Sequence, residues 1–481
     1  MGADVGEHPP SLVGAIPPDH QIPLQQGELR WLCSIQILQI GDRPPLFGPG
    51  GMHLGIEKRA MIARFSLCCA SMPRLTPDQL QHQLAVADDL LIVQDLDGVC
   101  MQLVRDPLTR RLESRYVEAA AGLEGAFTVL TNGEHGGRRG VNRLVESALG
   151  ESRHPADEGL YLPGLAAGGV QLQDRFGRLS HPGVSTAEMD FLAAAPARME
   201  QLLGQRLPEH LPDLAAQELQ ALAHRAVLDT QVSPTINLNG AFACMAGAVE
   251  AQRSLQLMLE QLMNQLLNEA EALGLQGSFF LHVAPNLGRN PDGTERIKPS
   301  VAGDVGTTDI QFMLTGSLKE AGLLVLINQH IARRWGEAPF GESFNVRTAP
   351  RDHDALLALV RERVPIERMP LLVGVGDTVT STPAAGGGWL RGGSDRGFLQ
   401  LLQDLGRWSG QANRVVLVDS SHGEVDRPSL ESDALEGISD PEDPLQVDVL
   451  MPEGPSQYID WFVQLAQLRA EAMIKSHRFS G

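Results

Sequence analysis

The stretch Leu90-Leu91-Ile92-Val93-Gln94-Asp95-Leu96-Asp97-Gly98 constrains this chain more than any other. An apolar run this compact, closed by acids and a glycine, reads as a strand buried on both faces in a parallel sheet. Parallel strands need crossover connections, usually helical, so the segment commits the chain to an α/β fold. The flanking pattern agrees: helix over 77–87, helix over 115–123, a second buried strand at Phe127–Leu130, and helix over 138–149. Thr76 is placed to cap the first helix, with Pro77 at its first position.

From about 150 to 310 the pattern changes. A glycine-broken hairpin is expected at Leu160–Leu172, then helices over 186–204, 213–228 and 240–273, with strands at Ser278–Val283 and Asp309–Leu314. Helix–strand alternation then resumes, with helices over 318–334, 353–363, 397–405 and 456–476 and strands at Leu371–Val375 and Arg414–Val418. The reading is one α/β core in two parts, 72–150 and 311–481, interrupted by an α+β insertion over 151–310. Residues 1–71 are Gly/Pro-rich without a sustained apolar period, apart from a candidate edge strand over 31–40. They read as a disordered leader, or as sequence upstream of a later start at Met61 or Met72.

The 481 residues carry a formal net charge of −20, which argues against a nucleic-acid or anionic-membrane surface. No apolar run is long enough to span a bilayer. The five cysteines form no C-x-x-C pair, so a reducing cytoplasm is the expected setting. Lysine is scarce: Lys58, Lys298, Lys319 and Lys475 stand among 39 basic residues, so a retained lysine can mark a place for a compact ammonium.

Four pieces carry chemistry. Asp95 and Asp97 lie two residues apart where the first strand ends, the edge at which such sheets bind ligands. One carboxylate can attack phosphorus while the other shuttles a proton, and two close anions call for a cation such as Mg²⁺. A solvated Asp-x-Asp-Gly turn or a calcium loop is the plain alternative. Thr131-Asn132-Gly133 ends the second strand, where a hydroxyl and free amides suit a phosphoryl oxygen, although an ordinary Asn-Gly turn reads the same. Asp377, in Gly376-Asp377-Thr378, could ligate a hard cation. Lys319 opens a helix after the insertion and could balance a phosphate, if it is not simply a surface lysine.

In this order the pieces resemble the haloacid-dehalogenase superfamily of Asp-nucleophile phosphatases. The insertion between the Thr and Lys pieces resembles a C2-type cap on that superfamily's Rossmannoid core. More narrowly, Gln94–Met101, Val129–Glu134, Ser233–Gly240, Gly376–Ser381 and Arg391–Phe398 resemble the cyanobacterial glucosylglycerol 3-phosphatase family of salt-tolerance enzymes. The resemblance implies Asp95 as nucleophile and metal ligand, and Asp97 as acid/base lending a main-chain carbonyl to Mg²⁺. Thr131 would bind the phosphoryl group, Lys319 would neutralise it, and Asp377 would complete the metal site. The usual second acid is missing, since Ser381 and Thr382 stand there; Asp395 or Asp419 could supply it from another loop, or the site could lack it. Asn132, Gly133, Arg391 and Arg396 are candidate substrate contacts, the arginines on a glycine loop with Trp389 that could close over a sugar phosphate. His282 and His422 show no partner at metal-ligand spacing. The implied substrate is a small glycoside phosphate, glucosylglycerol 3-phosphate, made by a partner synthase, glucosylglycerol-phosphate synthase. The rivals are a sucrose-phosphate or mannosylglycerate-phosphate type phosphatase and a non-catalytic binding protein of the same fold.

Overall fold

The computed structural model describes residues 74–479 except 246, 385 and 433, with backbone alone for 476–479. The expected leader and its edge strand lie outside the described residues. The main sheet has eight strands: β1 Leu90–Gln94, β2 Phe127–Leu130, β3 Gly164–Ala166, β4 Gln171–Gln173, β5 Leu179–Ser180, β12 Leu371–Gly376, β15 Arg414–Val418 and β16 Val449–Met451, in the order β16-β15-β12-β1-β2-β3-β4-β5. The six from β16 to β3 run parallel, and β4 and β5 add an antiparallel edge. The α/β expectation from the Leu90 run is met, and β1 lies inside the sheet with all five residues buried.

Helices cover both faces. Pro77–Ala85, Ser114–Gly122 and Pro455–Phe479 pack on one, where Tyr116, Phe127 and Phe462 form a cluster with Phe462 5.1 Å from each of the other rings. Gln94 is the one polar side chain on β1, and Tyr116 and Tyr458 hydrogen-bond it at 2.7 and 2.6 Å, so it is buried without a loose polar group. The Thr76 cap forms as expected, accepting from Gln79 N at 3.2 Å while Gln79 Oε1 accepts from Thr76 N at 2.9 Å. Lys319–Trp335, His353–Arg363 and Arg396–Ser409 cover the other face.

A second, four-stranded sheet holds β6 Val227–Leu228, β7 Thr235–Asn237, β8 Phe279–Ala284 and β11 Asp309–Leu314, in the order β6-β7-β11-β8. The long helices Thr186–His210 and Val249–Ala272 back it, and a small hairpin, β9 Asn286–Arg289 with β10 Glu295–Ile297, extends from β8. Three segments differ from the sequence reading. The glycine-rich stretch after 160 joins the main sheet: β3 pairs parallel to β2, and β4 turns back on it. The helix expected over 240–273 is two, Asn239–Cys244 and Val249–Ala272, parted where Gly247 takes a left-handed φ of +79°. The Gly386–Trp389 loop, expected as a mobile glycine loop over the site, is the tip of a hairpin between β13 Thr380–Pro383 and β14 Trp389–Gly392.

Candidate active site

Adjacent parallel strands bring the motif residues together. Asp95 directly follows β1 and Asp377 directly follows β12, and Asp95 N donates to Val375 O across the pair at 2.9 Å. β2, on the other side of β1, is followed directly by Thr131, whose hydroxyl accepts from Gly133 N at 3.3 Å. Lys319, first residue of its helix, reaches the same place. Its Nζ donates to Asp95 Oδ2 at 2.6 Å and to Asp395 Oδ1 at 2.7 Å, and only 2% of the side chain is exposed. This lysine is therefore buried between two carboxylates.

Of the two acids weighed for the missing position, Asp395 is at the site and Asp419 is not. Asp395 Oδ2 accepts from Asp377 N and Thr378 N, both at 3.0 Å, which locks the turn after β12. Asp419 is consumed by its own loop, accepting from Ser421 N, Ser429 Oγ and Leu430 N at 2.8, 3.0 and 2.6 Å.

One carboxylate oxygen from each of Asp95, Asp377 and Asp395 lies within 4.8 Å of the other two. One ammonium does not balance three carboxylates, and the acidities show it. Burial pushes the Asp95 carboxyl up to about 7, with Asp395 adding to the rise and Lys319 opposing it. Burial, then the charges of Asp395 and Asp95, hold Asp377 well above the ordinary carboxylate range. Burial also works against ionised Asp395, but Lys319 and the two amides outweigh it and keep its pKa low. Lys319 is held above the usual lysine value because the two aspartates outweigh its burial. Asp377 Oδ2 is buried without a hydrogen-bond partner among the described residues. An all-oxygen donor set with surplus negative charge and an unsatisfied buried oxygen fits a hard divalent cation.

Asp97 stands apart from this cluster. Arg110, which the sequence reading missed, grips it through Nη1 at 3.1 and 2.8 Å to its two oxygens. Arg110 is itself fixed, donating to Pro107 O at 3.1 Å and to Arg139 O. Thr131 is close by: a Cβ built on Gly133 would lie 3.6 Å from Asp97 Oδ2 and 3.7 Å from Thr131 Oγ1.

A cavity of about 350 Å³ opens from Lys319 and Asn132 toward His282, Asn286 and Arg289 of the second sheet and its hairpin. Arg391 and Arg396 line it too, but their guanidinium groups are spent: Arg391 forks onto Asp440 at 2.8 and 2.8 Å, and Arg396 onto Asp443 at 2.7 and 2.8 Å. They brace the β13–β14 hairpin against the 438–443 loop. His282, for which no partner at metal-ligand spacing was expected, pairs with Glu295 at 2.9 Å, brought to it by the β9–β10 hairpin. His422 makes only a 3.3 Å contact to Pro452 O.

Residues 89–466 match the family described as Glucosylglycerol-phosphate phosphatase (Salt_tol_Pase). The glucosylglycerol-phosphate phosphatase of Synechocystis sp. (strain ATCC 27184 / PCC 6803 / Kazusa) is 49% identical over 398 residues, covering 80% of this chain and 94% of that one. Among solved structures, the Candida albicans trehalose-6-phosphate phosphatase C-terminal domain aligns with 82% of this chain and 98% of its own at 12% identity, with a TM-score of 0.39. The Aspergillus fumigatus trehalose-6-phosphate phosphatase aligns with 82% and 99% at 11% identity and a TM-score of 0.34. Those two likenesses are distant, and no argument rests on them. The family match over most of the chain and the close relative place it: this chain belongs to the glucosylglycerol-phosphate phosphatase family.

Proposed function

We propose that the chain hydrolyses glucosylglycerol 3-phosphate to glucosylglycerol and phosphate. The observation that carries this reading is the buried Asp95–Lys319–Asp395 chain beside Asp377 at the carboxyl ends of β1 and β12, in a chain of this family. Asp95, ionised, attacks phosphorus and forms an aspartyl phosphate as the bond to the glycerol oxygen breaks. Asp97 gives its proton to that oxygen, then takes one from the water that hydrolyses the intermediate, returning both acids to their starting state. Thr131 and the amides of its turn hold a phosphoryl oxygen, and Lys319 offsets the anionic charge. Asn132 and Gly133 sit where they would contact the substrate, and Arg391 and Arg396 shape its entrance.

Asp95, Asp377 and the Asp97 main-chain carbonyl would hold Mg²⁺, with Asp395 behind them. The bound ion would offset the charge that gathers on the phosphoryl oxygens. Residues 72–150 and 311–481 would form the catalytic core and 151–310 a substrate-selecting cap, whose backing sheet begins at β6. No helix among the described residues is long and apolar enough to cross a membrane. The reading places the enzyme in the cytoplasm, downstream of glucosylglycerol-phosphate synthase, making a compatible solute for salt tolerance.

The test is phosphate release from a panel of glycoside phosphates with Mg²⁺, for wild type and Asp95→Asn. Glucosylglycerol 3-phosphate should be the fastest substrate, and Asp95→Asn should lose activity by roughly 10³ or more, as an amide is no nucleophile. Preference for sucrose phosphate or a mannosylglycerate phosphate, or near-normal turnover by Asp95→Asn, overturns the reading.

A further inference from the structure

The four-stranded sheet has two unlike faces. Side chains alternate along each strand, and residues directly opposite in an antiparallel pair share a face. Ile310, Phe312 and Leu314 of β11 are buried with Phe279 and Val283 of β8 in the core shared with the two long helices. The other face carries Phe280, His282 and Met313, which line the cavity running to Lys319. Gln311 belongs to this face, directly opposite His282 and two residues from Met313.

Two hydrogen-bonding groups on that face are unused. Gln311 Oε1 is buried without a partner among the described residues. His282 gives Nδ1 to Glu295, 3.1 Å from Oε1 and 2.9 Å from Oε2, which leaves Nε2 without a partner among the described residues. Glu295 is only 6% exposed and also accepts from Val283 N at 2.9 Å and Asn286 Nδ2 at 3.1 Å. It is therefore a fixed brace for the imidazole and not an open anion. A buried amide oxygen without a partner costs stability unless a ligand completes it. A carboxylate behind the imidazole disfavours a second anionic group here. The chemistry that suits the face is an uncharged polyol.

We propose that Gln311 and His282 bind hydroxyl groups of the substrate's sugar ring, with Glu295 as the positioning residue that fixes His282. This rests on the reading above, in which the phosphoryl end lies at Asp95 and Lys319. Recognition by such groups rejects a substrate that lacks the hydroxyls, because the site's polar atoms are then left unpaired.

The test compares the full-length wild type with Gln311→Leu, His282→Ala and Glu295→Gln on glucosylglycerol 3-phosphate and on glycerol 3-phosphate, which has no sugar ring. Gln311→Leu and His282→Ala should each lower kcat/KM on the glycoside about tenfold, the scale of one lost hydrogen bond. Both should stay within about twofold of wild type on glycerol 3-phosphate, which also reports that they fold. Glu295→Gln should raise KM for the glycoside and leave kcat unchanged. Inhibition by free glucosylglycerol should weaken in parallel. Equal losses on both substrates, or unchanged glycoside kinetics in both variants, overturn the inference and leave the phosphatase reading standing. A wild type that does not prefer the glycoside to glycerol 3-phosphate overturns both.

Discussion

Gly98 and Asp377 share a space that holds only one side chain: a Cβ on Gly98 would lie 2.1 Å from Asp377 Oδ2. The backbone there also has a φ of +78°, in the left-handed region. That same oxygen has no hydrogen-bond partner among the described residues. The turn after Asp97 thus forms one wall of the Asp377 pocket, and two independent constraints demand a glycine in it. Gly98→Ala should displace Asp377 and strain the turn by about 1–3 kcal/mol. Phosphate release should fall sharply and the melting temperature should drop. A variant with wild-type rates would mean the wall is not needed.

Lys319→Ala should do far more damage than Lys298→Ala. Removing Lys319 leaves buried Asp95 and Asp395 without their cation, a loss of about 3–5 kcal/mol. The rate should fall by roughly 10²–10³ as a phosphate-facing charge disappears. Lys298 pairs with Asp304 at 2.6 Å with both side chains about one-third exposed, an interaction of about 0–1 kcal/mol. Urea unfolding and phosphate release on both variants decide the matter. Greater damage from Lys298→Ala would show that the wrong lysine has been assigned.

Arg110→Met should free Asp97 to turn away from the leaving group. On glucosylglycerol 3-phosphate, kcat should drop by roughly 10–10² while KM changes little, since proton transfer from a positioned group contributes on that scale or more. For p-nitrophenyl phosphate, whose leaving group needs no proton, kcat/KM reports only formation of the aspartyl phosphate and should be much less affected than kcat/KM for the glycoside. Equal losses on the two substrates would argue that Arg110 binds phosphate.

His135 is buried between the Gly164 carbonyl, 3.2 Å from Nε2, and the Gln173 amide, 3.3 Å from Nδ1. Burial pushes the imidazole down to about 4. In the unfolded chain the ring takes a proton near 6.5, so below that pH the unfolded state binds a proton that the folded state refuses. The stability tied to the neutral ring is complete above about 6.5 and is lost as the pH falls through about 4, by up to about 3 kcal/mol. Thermal melts of wild type and His135→Gln across this window should converge as the pH drops. A constant difference would show that His135 does not titrate there.

The sequence was most readable where burial is complete. β1, β2 and β12 are short, mostly apolar runs, and each is followed directly by the residue read at its end: Asp95, Thr131 and Asp377. Arg110 was not readable because its partner is set by a turn: Asp106 accepts from Leu108 N at 2.9 Å and starts the bend that carries Arg110 back to Asp97. Glu295 and His282 meet through a hairpin, 13 residues apart, which no metal-spacing rule anticipates. Arg391 and Arg396 looked free because Asp440 and Asp443 come from a loop 47–49 residues away. β3 was assigned to the insertion because its three residues, Gly164–Ala166, are too few to show a strand period.

The register of β1 has a bearing on synthesis. Leu90 pairs with Leu371 on one side, and Phe127 pairs with Ile92 on the other. One flank of this buried strand is therefore satisfied within a few dozen residues of translation, and the other only about 280 residues after β1 itself is made. During that interval β1 is an unpaired, hydrophobic edge, the type of surface on which nascent chains associate. Long-range parallel pairing of this kind is intrinsically slow to form. Asp95 and Asp377, just beyond the ends of β1 and β12, meet only when that edge closes, so a nascent chain that has not yet made β12 lacks their acidic cluster.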